Sequence, residues 1–164
     1  LPDPEAAARR LPCGAAVVYR HFGAQDRFKV ARRLALLCRR RGLVLLVAAD
    51  PDLAERVGAD GVHWPERLLP AARGDQTIVT TAAHSSEAVA RALAARVDCC
   101  VLGPLFPTRS GAGRRPLGLF RASQIARTAP GKVIALGGVT TVNARLLAGR
   151  GFAGIAAVDA FSGG

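Results

Sequence analysis

Short apolar, β-branched runs alternate with stretches of helical periodicity from one end of the chain to the other. Residues 15–20, 43–49, 61–64, 77–82, 99–105, 132–136 and 154–158 read as strands, and their starts fall 16 to 33 residues apart, the rhythm of βα units. The runs are almost continuously apolar, as parallel strands covered on both faces require. Between them, 25–40, 51–57, 85–95, 121–128 and 142–148 read as helices, and 2–11 as a helix ahead of the first run. In 85–95, Ala88, Val89, Ala92 and Leu93 share one helical face, with Ser85 or Ser86 as the N-cap and Glu87 in the first turn.

A weak internal echo supports repeated units: Glu55 to His63 and Ala148 to Ala156 both read as helix end, glycine break, new strand. No long linker interrupts the alternation, so residues 1–164 are expected to form one α/β domain. Neither the Gly-x-Gly-x-x-Gly nor the P-loop signature is present. Seven strands at this spacing match a TIM (β/α)8 barrel whose first strand is absent from the sequence given, 2–11 being the first helix. The chain has no Met, and closing the barrel takes an eighth strand, so the chain is expected to continue beyond these residues.

Composition narrows the function classes. Half of the 164 residues are apolar, yet no run reaches the length of a membrane span. The net charge of +11 comes from 23 basic residues, all arginine except Lys29 and Lys132, and many lie in helical stretches such as Arg39-Arg40-Arg41. With aromatics at 5% and no nucleic-acid motif, solvated helix faces explain them better than nucleic-acid binding. Cys13, Cys38, Cys99 and Cys100 lack metal-ligand spacing and read as buried reduced thiols of a cytoplasmic protein.

In a barrel the chemistry sits at the C-terminal ends of the strands. Those positions hold Arg20 and His21, Asp50, His63 to Glu66, Ala82 to His84, Gly103 to Arg115, Gly137 to Thr140, and Val158 to Ala160. Gly137-Gly138 lets backbone approach a ligand, with N–H groups at the next helix start facing it, or is a plain turn. Pairing with the unit from Gly154 to Ala160 favours a phosphate site. The segment Pro107 to Pro116 carries two hydroxyls and three guanidiniums, and reads either as a cationic lid over phosphate or as an ordinary exposed loop.

Five segments then occur in a familiar order: Gly58-Ala-Asp-Gly-Val-His63, Ala83-His84-Ser85, Gly103-Pro-Leu-Phe-Pro-Thr108, Pro116-Leu-Gly118 and Ala135-Leu-Gly-Gly-Val-Thr140. From about Ala15 to Ala160 the chain resembles the thiamine-phosphate synthase/TenI family. The resemblance implies a TIM barrel that joins hydroxymethylpyrimidine diphosphate to a thiazole phosphate and releases pyrophosphate, with Mg²⁺ and cationic side chains on the departing diphosphate. It implies small-molecule partners, no nucleic acid and no membrane, and it favours a homo-oligomer.

Position by position, the resemblance makes Arg20 and Arg109 phosphate clamps, Asp50 the Mg²⁺ carboxylate, Thr108 and Ser110 ligand-orienting hydroxyls, and Gly137, Gly138, Val158 and Asp159 the second phosphate site. Several positions depart from the family pattern. Gln-x-Arg-x-Lys reads Val18-Tyr19-Arg20-His21-Phe22, and Gln-Glu-Asp reads Glu66-Arg67-Leu68, which removes a second metal carboxylate unless Glu66 replaces it. The family lysine is Gly111, leaving Arg109, Arg114 or Arg115 to stand in, and the family serine on the last strand is Asp159. His84 matches the histidine of the TenI-like branch, which implies a thiazole tautomerase with His84 shuttling the proton. The departures also fit a non-catalytic homologue that binds a phosphorylated ligand. His63 reads as structural, and His21 as alternating away from Arg20.

Overall fold

Each of the seven expected strands forms in the computed structural model, which describes residues 3–23, 25–108 and 113–158. They are β1 (Ala16–Tyr19), β2 (Val44–Ala48), β3 (Gly61–Trp64), β4 (Ile78–Ala83), β5 (Cys99–Leu102), β6 (Val133–Leu136) and β7 (Gly154–Ala156). All pair in parallel with their sequence neighbours, in the order β1 to β7. This is the curled sheet of a TIM-type barrel short of one strand. Among the described residues β1 pairs only with β2 and β7 only with β6, and Ile155 on β7 stays 56% exposed.

The helices follow local chemistry. α1 (Pro4–Arg9) is capped by Asp3, and α2 (Arg27–Arg41) buries Ala31, Leu34, Ala35 and Cys38, a helical stripe ended by left-handed Gly42. α3 (Pro51–Val57) has proline at its start under the Asp50 cap. Ser85 caps α4 (Ser86–Ala94) by accepting from Ala88 N–H at 3.2 Å. α5 is Leu119–Arg127. The helix expected over 142–148 is instead a short 3₁₀ turn, Ala144–Leu147. Asn143 and Thr140 bond each other's backbone and tighten the chain before an α-helical turn can start.

Two apolar clusters fill the layer between strands and helices. One joins α1, α2 and α3 to β1–β3; the other joins α4 and α5 to β4–β6. Cys38 and Cys100 lie in these clusters, and burial pushes both thiols up to about 11. Cys13 is exposed, against the expectation of burial, because it falls in the turn between α1 and β1 rather than on an element.

Two strand entries share a device that lies outside the echo, where Ala153 stands in place of Asp60. Asp60, just before β3, accepts the Leu45 N–H of β2 at 2.7 Å, and Asp98, just before β5, accepts the Val79 N–H of β4 at 2.8 Å. Each carboxylate ties a new strand to the preceding one in register.

Candidate functional site

Parallel pairing in sequence order gathers every strand's C-terminal end on one rim. Arg20 follows β1, Asp50 follows β2, Glu66 opens a 3₁₀ turn after β3, and His84 follows β4. Gly103 to Thr108 follow β5, Gly137 to Thr140 follow β6, and exposed Val158 follows β7. Arg109, Ser110 and Asp159 lie outside the described residues.

The best-built part of the rim joins three of the five quoted segments. Leu105 N–H donates to Leu136 O at 2.9 Å and Phe106 N–H to Gly137 O at 3.0 Å, extending the β5–β6 pairing past both strands. Leu117 N–H returns to Pro104 O at 2.9 Å and Gly118 N–H to Leu105 O at 3.0 Å, closing the base of the cationic loop. A Cβ on Gly137 would stand 2.7 Å from Pro104 Cα, and one on Gly138 2.5 Å from Pro107 O. Both glycines also have positive φ, 95° and 64°. Only glycine permits this crossing. Thr108 is half-buried at its edge. No α-helix start follows Gly137-Gly138, and Thr140 N–H is taken by Asn143 Oδ1 at 2.8 Å while Asn143 Nδ2 donates to Gly138 O. A phosphate here would be held by the glycine turn itself, not by a helix terminus.

The three histidines differ in what their rings can do. His84 is half-buried, and its Nδ1 lies 2.5 Å from Gly103 O. A carbonyl only accepts, so Nδ1 carries the hydrogen and Nε2 keeps the lone pair of the neutral ring. His63 is 6% exposed with Nδ1 2.8 Å from Thr80 Oγ1. Burial, helped by the Arg20 guanidinium, lowers its pKa to about 4, so it is a neutral structural ring at physiological pH. His21 stacks on Tyr19 at 5.4 Å between ring centroids, two residues back and away from Arg20.

Asp50 reaches the rim, but both its oxygens are engaged. Oδ1 accepts Leu53 N–H at 2.9 Å as the cap of α3, and Oδ2 accepts Arg27 Nη1–H in an ion pair. Glu66 meets Arg91 Nη2 at 2.8 Å through Oε1, and its Oε2 is buried with no partner among the described residues. Magnesium demands a near-octahedral set of oxygens. Here Asp50 and Glu66 each already hold a guanidinium, and the described residues offer no cluster of three metal-ligating side chains. The described side chains do not fit a resident magnesium ion.

Nothing local in the sequence marks Arg27 or Arg91 as a rim residue. They lie 23 and 25 residues from their carboxylates, so no local spacing announces either pair.

Comparison with known proteins agrees with this architecture. A family model described as thiamine monophosphate synthase matches residues 4–161. The thiamine-phosphate synthase of Methylococcus capsulatus is 38% identical over 169 residues, covering 96% of this chain and 75% of the relative. That of Geobacillus kaustophilus is 32% identical over 146 residues, covering 84% and 65%. Among solved structures, the thiamine phosphate pyrophosphorylase from Pyrococcus furiosus superposes with a TM-score of 0.74 at 26% identity, covering 94% of this chain and 76% of that one.

Proposed function

The chain belongs to the thiamine monophosphate synthase family, and we propose that it joins hydroxymethylpyrimidine diphosphate to a thiazole phosphate. The bond between the pyrimidine methylene carbon and the diphosphate oxygen breaks, and the diphosphate leaves with the electron pair. The thiazole nitrogen donates its lone pair to the methylene carbon, forming the new C–N bond and leaving the ring cationic.

The observation that carries this reading is the glycine crossing at the rim, where Gly137 and Gly138 pass against Pro104 and Pro107 too closely for any side chain. Backbone N–H groups there meet the thiazole phosphate, and Thr108, with Ser110 beyond it, orients the ligand. Arg20, exposed at the end of β1, faces the diphosphate, to which the family pattern also assigns Arg109. Val158, exposed after β7, borders the thiazole phosphate, to which the family pattern also assigns Asp159. Charge developing on a leaving diphosphate is stabilised most by cations fixed before the reaction. A cytoplasmic setting accords with the two buried thiols, and no helix among the described residues is long and apolar enough to cross a membrane. Self-association of the chain belongs to the same reading.

A phosphorus NMR time course on the full protein with both substrates tests it. Protein-dependent pyrophosphate together with thiamine phosphate is the expected result. A folded protein that yields neither overturns the synthase reading.

The His84 geometry favours one second reading, a thiazole tautomerase. With Nδ1–H committed to Gly103 O, Nε2 is the atom that takes a proton from one ring position of a thiazole phosphate carboxylate and returns it to another. His84→Gln is then expected to slow solvent-deuterium exchange into that substrate by about 100-fold or more. An unchanged exchange rate leaves His84 as a support for the Gly103 carbonyl.

A further inference from the structure

The carboxylate best placed for a metal is closed by an arginine of the same chain. Arg27 opens α2, and both terminal nitrogens of its guanidinium bond the corner where β2 turns into α3. Nη1 pairs with Asp50 Oδ2, and Nη2 donates to Ala48 O at 3.1 Å. The pair is largely shielded, with the two side chains 19% and 29% exposed, and the Phe22 ring lies 5.6 Å from the guanidinium carbon. Asp50 Oδ1 is held at the same time by Leu53 N–H. A divalent cation approaching Oδ2 meets a fixed positive charge, and displacing Asp50 from it strands a guanidinium whose Nε is already buried without a partner among the described residues. Glu66, the second described rim carboxylate, pairs with Arg91 through Oε1 alone.

We propose that Arg27 is the resident counter-ion of Asp50, replacing a divalent metal there, so that the rim takes a diphosphate ligand with no metal at this carboxylate. The clause about diphosphate rests on the synthase reading; the clause about Arg27 does not. Arg27 thereby acts as a positioning residue, fixing the entry to α2 and the cap of α3 while removing Asp50 from metal binding.

Electron paramagnetic resonance of Mn²⁺ added to the full chain tests the first clause. Wild type and Asp50→Asn are expected to bind Mn²⁺ equally weakly, since asparagine keeps the helix cap. Arg27→Gln is expected to gain at least tenfold in Mn²⁺ affinity, and Arg27→Gln with Asp50→Asn to lose that gain. A saturable wild-type Mn²⁺ site that disappears in Asp50→Asn overturns the proposal, as does a folded Arg27→Gln that gains nothing. If circular dichroism shows Arg27→Gln unfolded, the wild-type and Asp50→Asn comparison decides alone.

Calorimetric titration with inorganic pyrophosphate, in EDTA and in excess Mg²⁺, tests the second clause. Affinities within twofold of each other support it, and binding only with Mg²⁺ overturns it. No pyrophosphate binding under either condition overturns this clause and the diphosphate reading, while the Mn²⁺ comparison still decides the role of Arg27.

Discussion

Gly61→Ala is expected to destabilise the protein by about 3 kcal/mol or more, at the upper end of what overpacking costs. Gly61 opens β3 opposite Ile78 of β4, and an added Cβ would lie 1.9 Å from the Ile78 carbonyl oxygen and 2.7 Å from its carbon. Those are backbone atoms held in a parallel ladder, so no rotamer change relieves the overlap. The two strands must separate. For a chain of this size such a loss lowers the thermal midpoint by roughly 10 °C. Gly154→Ala is the matched control, since Gly154 opens β7 at the equivalent place in the echo and has no described atom within 4 Å of an added Cβ. It is expected to change stability by less than about 1 kcal/mol. Thermal melts of both variants check the contrast, and equal losses would show that the ladder at Gly61 yields.

The second large effect is an acid limb set by His63. Its folded pKa of about 4 lies below the ordinary 6.5, through burial first and the Arg20 charge second. The unfolded chain therefore binds the proton more readily than the folded one. The neutral ring's stabilising advantage is fully present above pH 6.5 and is lost progressively as pH falls toward 4. At 1.36 kcal/mol per pH unit the whole limb amounts to about 3 kcal/mol. Urea unfolding between pH 7 and pH 4 should show this fall in wild type. His63→Gln, which can still bond Thr80, should be less stable at pH 7 and should lack that part of the slope. A slope unchanged by the substitution would assign the limb to other groups.

The elements legible in the sequence were those that local rules define. Val44 to Ala48 could be read as a strand because its apolar side chains are covered on both faces, which parallel pairing demands. Ser85 could be read as a cap because its bond to Ala88 N–H spans three residues. The 142–148 helix failed on equally local grounds. Asn143 and Thr140 offer their side chains to the backbone and outcompete the helix there. Motif order placed His84, Gly137 and Gly138 at strand ends on the rim. It did not show that His84 Nδ1 is tied to Gly103 O, a bond across 19 residues.

By itself, then, the sequence determined the βα rhythm, the parallel sheet and the family, because hydrophobic periodicity and short motifs act within one or two turns of chain. Only the tertiary structure decided what the site residues are free to do. Asp50 stands at a strand end in the sequence, and only folding brings Arg27 to its Oδ2 from 23 residues away. Gly61 and Gly154 look alike in the echo, yet one lies against the neighbouring strand's carbonyl and the other has no described atom within 4 Å of an added Cβ. Distance along the chain carries no information about such contacts. They are set when the sheet curls and the helices pack on it.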